Sequence, residues 1–209
     1  RSDLLKYLNP DIRESPLPTK LNVFSRGSLL DLEIRHNVFD LRNVELLDPY
    51  GILSLFCHLV VLAQGGEKAE LLLEDNYVCK YLYTIGFFHE LEKECKSKVT
   101  WDTSKISGTK LGNPSILIPT SSIKYKGEER VVTGRLIELL IKQGFSENVS
   151  RYIGVILGEL ADNALTHSGK SLSEKACYLL ASRFIIGDSN CIIAGIADIG
   201  KGIHRSLKE

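Results

Sequence analysis

The chain has 209 residues, and its 26 Lys and Arg balance 26 Asp and Glu, for a formal net charge of zero. That balance argues against a sequence-independent nucleic-acid surface, because phosphate binding needs clustered positive charge. A hydrophobic share of 44% and a charged share of 25% suit a globular protein that buries a core, at a length fitting one large or two small domains.

The longest apolar run, 52–63, is broken by Ser54 and His58 and is too short to cross a bilayer, so no membrane partner is expected. No signal peptide is visible. Five cysteines (Cys57, Cys79, Cys95, Cys177 and Cys191) are an odd number without a Cys-x-x-Cys pair. The expectation is a cytoplasmic protein with reduced, mostly buried thiols and no zinc site.

Residues 1–20 combine Leu4, Leu5 and Leu8 with Pro10, Pro16 and Pro18, which predicts a short helix and then an extended linker. Residues 21–34 alternate loosely and fit a strand or a helix. The runs 38–41 and 44–47 are strand-like. Asp48-Pro49-Tyr50-Gly51 is a turn, with Asp favoured at a helix start. A helix over 52–63 stops at Gly65-Gly66. Residues 69–73 predict a buried strand. Asp75 or Asn76 would cap a helix through Val78, Leu82 and Ile85 to Gly86, and Phe87, Phe88 and Leu91 continue its apolar pattern. Alternating strands and helices predict an α/β layer over 21–95.

Residues 96–114 are rich in Lys, Ser and Thr and carry Gly108, Gly112 and Pro114, which predicts an inter-domain linker or exposed hairpin. Structure resumes with a strand over 115–119. A helix over 128–143 is stopped by Gly144, and Ser146 would cap the next one, with Glu147 in its first turn. Residues 176–186 and 191–197 read as two strands joined by Gly187-Asp188-Ser189-Asn190.

The chemistry-bearing stretch is 159–202. Along the helix that runs to His167, Ile153, Ile156, Leu157, Leu160 and Ala164 predict an apolar stripe. At about 100° per residue, Glu159, Asp162, Asn163, Thr166 and His167 fall on another arc. A carboxylate and an amide four residues apart suit metal-triphosphate chemistry. The amide oxygen supplies Mg²⁺ with one hard ligand, and the carboxylate orients or deprotonates an attacking hydroxyl. A solvated polar helix face is the bland alternative. Asp198 ends the second strand, where it would accept a hydrogen bond from an exocyclic amine. Gly200 and Gly202 let the backbone pass a flat base, or simply form a turn.

Together these residues resemble the GHKL superfamily of gyrase B, MutL, histidine kinases and anti-sigma-factor serine kinases. Its asparagine box looks like Glu-x-x-x-Asn-Ala, matched by Glu159, Asn163 and Ala164. Its first glycine box looks like Asp-x-Gly-x-Gly, matched by Asp198, Gly200 and Gly202. The resemblance implies a Bergerat α/β sandwich over 115–209 that binds ATP and Mg. Glu159 would be the catalytic base, Asn163 the Mg contact and Asp198 the adenine contact, with Asp162, His167, Gly200 and Gly202 in the same site. Asp162 before the Asn is similar to gyrase and MutL, and His167 to the anti-sigma kinases. The lid and second glycine box of that family do not occur before Glu209, and the chain contains no Met. Both lead to the expectation of a domain cut short or of residues missing from the sequence.

The region 36–92 is similar in order to the STAS domain of anti-anti-sigma factors: a strand (44–47), a turn (48–51), a helix, a strand (69–73), and a helix ending in Gly86-Phe87. Tyr50 stands where that family often has a phosphorylated Ser. These resemblances imply a regulatory ATPase or Ser/Thr protein kinase, with a protein partner bound through the STAS-like domain. They also imply, as an alternative, a conformational ATPase that forms a homodimer on binding nucleotide. A non-catalytic scaffold is the remaining alternative.

Overall fold

The computed structural model describes residues 37–44, 47–102, 116–167, 177–186 and 189–200, which form a mixed α/β fold with two three-stranded sheets. Residues 1–34, with the expected N-terminal helix and linker, lie outside the described residues.

The first sheet is parallel, in the order β1 (Val38–Asp40), β2 (Ala69–Leu72) and β3 (Val99–Trp101). Parallel neighbours need crossover connections, and helices supply them. Helix α1 (Pro49–Gln64) joins β1 to β2. Asp48 caps it, accepting from the Gly51 N–H at 2.7 Å, and Pro49 supplies a fixed φ in the first turn. Helix α2 (Tyr77–Thr84) is capped by Asn76, which accepts from the Cys79 N–H at 2.9 Å. Gly86, at φ 73°, turns the chain into α3 (Phe87–Cys95), which leads to β3. This left-handed conformation is one that a side chain would strain.

Two expectations need correction here. Val99–Trp101, inside the stretch read as linker, forms β3 and pairs with β2. Its three residues are too few to outweigh the surrounding Lys, Ser and Thr in a composition-based reading. Val44 and Leu47 are buried but belong to no strand, and residues 45–46 lie outside the described residues. The strand entering α1 is β1, further upstream.

The second sheet is antiparallel: β4 (Ile116–Ile123), β5 (Cys177–Ile186) and β6 (Ser189–Asp198), in that order. Strand β4 runs on past Pro119, where the sequence suggested a stop. It has β5 on one side only and its register shifts around Pro119, so the missing N–H costs no regular ladder bond. Helices α4 (Glu128–Lys142) and α5 (Glu147–His167) connect β4 to β5.

Over Cys177–Ser182, strand β5 is buried on both faces. Cys177, Leu179 and Ala181 join a core with Leu136 and Leu140 of α4 and Leu157, Ala161 and Leu165 of α5. Tyr178 and Leu180 point the other way, into a core with Phe56 of α1 and Phe87 of α3. The antiparallel sheet is therefore sandwiched between the α4–α5 pair and the N-terminal α/β unit. Gly195 of β6 allows the close approach of α1: a Cβ there would lie 2.8 Å from the Leu53 side chain.

Polar contacts seal the same seam. Glu90, 6% exposed, accepts from the Ser122 N–H at 3.1 Å and its hydroxyl at 2.5 Å. Lys124 pairs with Glu94 at 2.6 Å, and the Tyr81 hydroxyl bonds Ser182 at 3.2 Å. The Thr120 N–H donates to the Ile85 carbonyl at 2.9 Å. Among the described residues, no helix is long and apolar enough to cross a membrane.

Candidate functional site

Helix α5 carries most of the predicted site. Ser146 starts it, its hydroxyl accepting from the Val149 N–H at 3.3 Å, and Glu147 in the first turn pairs with Arg151 at 2.6 Å. The face it buries is only partly the one the sequence suggested: Leu157 is buried and Ile153 and Ala164 pack against the same core. Ser150, Gly154, Leu157, Ala161 and Leu165 are buried, while Ile156 and Leu160 of the expected stripe are exposed. The reason is the closeness of α4: a Cβ at Gly154 would sit 2.5 Å from the Ile137 side chain. Small residues face the neighbour, and large apolar residues on the other side are left to solvent.

This rotation leaves Ile156 and Leu160 in solvent next to Glu159 and Asn163, which are one turn apart and both exposed. Asp162 is half-exposed. With Glu159 it lines an open cleft of about 310 Å³ between α4 and α5, whose other wall includes Lys126, Glu129 and Arg130. Lys126 approaches the Asp162 carboxylate at 3.7 Å, a solvated pair worth about 0–1 kcal/mol. Glu129, buried at the start of α4, is held by the Gly127 N–H at 2.6 Å. Asn163 and Asp198 are not part of this cleft. Lys126, Glu129 and Arg130 were missed by the sequence reading. Their signal, a charged run before an apolar period, is common to many helix starts.

The parity of β6 settles where Asp198 belongs. Ile192, Ala194 and Ile196 pack toward the α4–α5 core, whereas Gly195 meets α1 and Ala197 packs on the N-terminal core. Asp198 continues the even series, so it lies on the sheet face that carries α5. It pairs in register with Cys177, the first residue of β5 after the loop from α5. Its carboxylate accepts from the Gly200 N–H at 2.7 Å, which bends the backbone out of the strand.

The carboxylate also acts on nearby thiols. Burial, with a smaller contribution from Asp198, pushes both Cys177 and Cys57 up to about 12. All five cysteines are free, three of them buried. Helix α5 ends at His167, Gly200 is half-buried, and Gly202 lies outside the described residues.

The donor set fits ATP and Mg in kind. Asn163 offers a hard, uncharged oxygen on an exposed face, and Mg²⁺ takes its remaining ligands from phosphate and water. No cluster of three or more His, Cys, Asp or Glu able to hold a metal alone occurs among the described residues. The chain matches no protein-family model, no curated protein and no solved structure.

Proposed function

We propose that this chain is an ATP·Mg-binding regulatory protein of the GHKL type, an ATPase or Ser/Thr protein kinase preceded by a STAS-like unit. One observation carries the reading: Glu159 and Asn163 share an exposed arc of α5, on the sheet face to which β6 delivers Asp198. Adenine recognition falls to Asp198, whose carboxylate accepts from an exocyclic amine. The Gly200 turn holds that carboxylate at the strand end. Asn163 supplies an oxygen to Mg²⁺. When bound, the ion draws the phosphate oxygens together and offsets their charge. Glu159, one turn before Asn163, takes the proton of the attacking hydroxyl or water. Asp162 immediately precedes Asn163 in the chain, and His167 follows it by four residues. Partner binding belongs to the STAS-like unit, which packs on the opposite face of the sheet and leaves α5 uncovered.

The second reading, a conformational ATPase of the gyrase and MutL kind, draws on Asp162 immediately before Asn163.

Calorimetry with ATP tests the proposal. Binding should need Mg²⁺ and should weaken at least tenfold in both Asn163→Ala and Asp198→Ala, with their melting temperatures unchanged. Absence of binding in the unmutated chain would overturn the nucleotide reading and leave an interaction scaffold. Labelled ATP then separates phosphate release from transfer to a protein.

A further inference from the structure

The outward face of α5 is the most apolar exposed surface of any described helix. Val149 is 46% exposed, Tyr152 71%, Val155 60%, Ile156 57% and Leu160 49%. They lie within twelve residues and recur at helical spacing, so they form one stripe about three turns long. Together they expose on the order of 500 Å² of largely apolar surface. With its rim, that approaches the ~800 Å² per partner of a standard interface, and the largest apolar patch on a protein's surface is often functional.

The charges beside the stripe indicate what covers it. Arg151 and Glu159, both exposed, stand four residues before and four residues after Val155, on the same flank. When two identical helices pack antiparallel about a twofold axis, each flank meets its own copy. With the axis at Val155, Arg151 of one copy, which pairs with Glu147 of its own helix, also faces Glu159 of the other, twice. Tyr152 and Ile156 then pack near their counterparts across the axis. The flank is thus complementary to itself. A strongly acidic or basic partner would find one charge of the wrong sign. An anionic lipid surface would find Glu147, Glu159 and Asp162 interspersed with Arg151, Lys126 and Arg130 beside the stripe, not the uniformly basic rim that such helices carry. The chain's zero net charge leaves no overall repulsion against self-association.

We infer that α5 is the contact between two copies of this chain, packed antiparallel about a twofold axis at Val155. Glu159 and Asn163 lie on the covered arc, so the dimer closes the face on which nucleotide would lie. Self-association and Mg·ATP then exclude one another. This last clause rests on the nucleotide reading; the dimer does not.

Sedimentation velocity of the full chain from 1 to 100 μM, without nucleotide, tests the dimer. A dimer is expected. Ile156→Asp should give a monomer whose circular dichroism is unchanged. Arg151→Glu should weaken the dimer about tenfold, and adding Glu159→Arg should restore it. That charge exchange keeps the test valid should Ile156→Asp fail to fold. A monomer throughout the range, or a double exchange that restores nothing, would overturn the proposal. So would a monomer that sediments with anionic vesicles, since the stripe would then belong to a membrane. Saturating Mg·ATP should shift the dimer to monomer. A dimer that binds Mg·ATP without dissociating would overturn the exclusion. A monomer that binds Mg·ATP would overturn the dimer and leave the nucleotide reading intact, and a dimer that binds none would do the reverse.

Discussion

Glu90 shows how one buried carboxylate ties the two units together. Burial pushes its carboxyl up, but hydrogen bonds from Ser122 and Lys93 outweigh that and hold it below the usual glutamate range. A lowered folded value means stability that is complete above the unfolded glutamate's value and is lost as pH falls through the folded one. Glu90→Gln should therefore cost about 1–3 kcal/mol near neutrality, as expected for a hydrogen-bonded charge. The gap should close only as pH falls below the usual glutamate range, where the native side chain protonates at last. Urea midpoints of both proteins from pH 3 to 7 would check this, and a gap independent of pH would contradict it. The sequence did not single out Glu90. It sits among Glu92 and Glu94 in a charged stretch, and only its partner, 32 residues on at Ser122, distinguishes it.

At the scale of elements, α4 and α5 pack through glycines with opposite demands. A Cβ at Gly154 would strike Cγ1 and Cδ1 of Ile137 at 2.5 Å, while at Gly158 it would meet only Thr133 at 3.9 Å. Gly158→Ala should stabilise by about 0.5–1 kcal/mol through helix propensity. Gly154→Ala gains the same propensity but overpacks the contact by about 1–3 kcal/mol, so it should destabilise. Thermal melts should show shifts of opposite sign. The existence and type of most elements could be read from the sequence. Pro49–Gln64, Glu128–Lys142 and β5 with β6 came close to their expected bounds, because Asp48, Gly144 and the apolar runs announce them. The rotation of α5 could not be read so easily. Its apolar residues occupy two faces, and periodicity alone does not say which one a neighbour will cover. Glu159, Asn163 and Asp198 of the proposed site stand out in the sequence as a pattern. The Lys126–Arg130 wall beside them depends on a helix that carries no motif.

Across the whole molecule, β5 gives fully buried side chains to both cores. Tyr178 and Leu180 lie against α1 and α3, and Leu179 and Ala181 against α4 and α5. Residues 116–209 made alone would expose the first of these faces. They should aggregate or melt without a cooperative transition, whereas residues 37–209 should unfold in one step seen alike by circular dichroism and Trp101 fluorescence. A separately stable C-terminal half would show that the seam contributes little. The two units were legible from the sequence as successive runs of strands and helices. Their stacking on one sheet was not, because an apolar run such as 177–181 reports burial on both sides without saying by what.

The alternation along β6 bears on which changes of length the chain can accept. Between Ser189 and Asp198 every even-numbered side chain from Ile192 on serves one layer, and Gly195 and Ala197 the other. Replacing residues there alters packing by degrees. Inserting or deleting a single residue before Asp198 would instead carry that carboxylate through the sheet to the side of α1. Descendants of this chain can vary the composition of β6 widely, but they can change its length only in steps of two or by a bulge that swallows the extra residue.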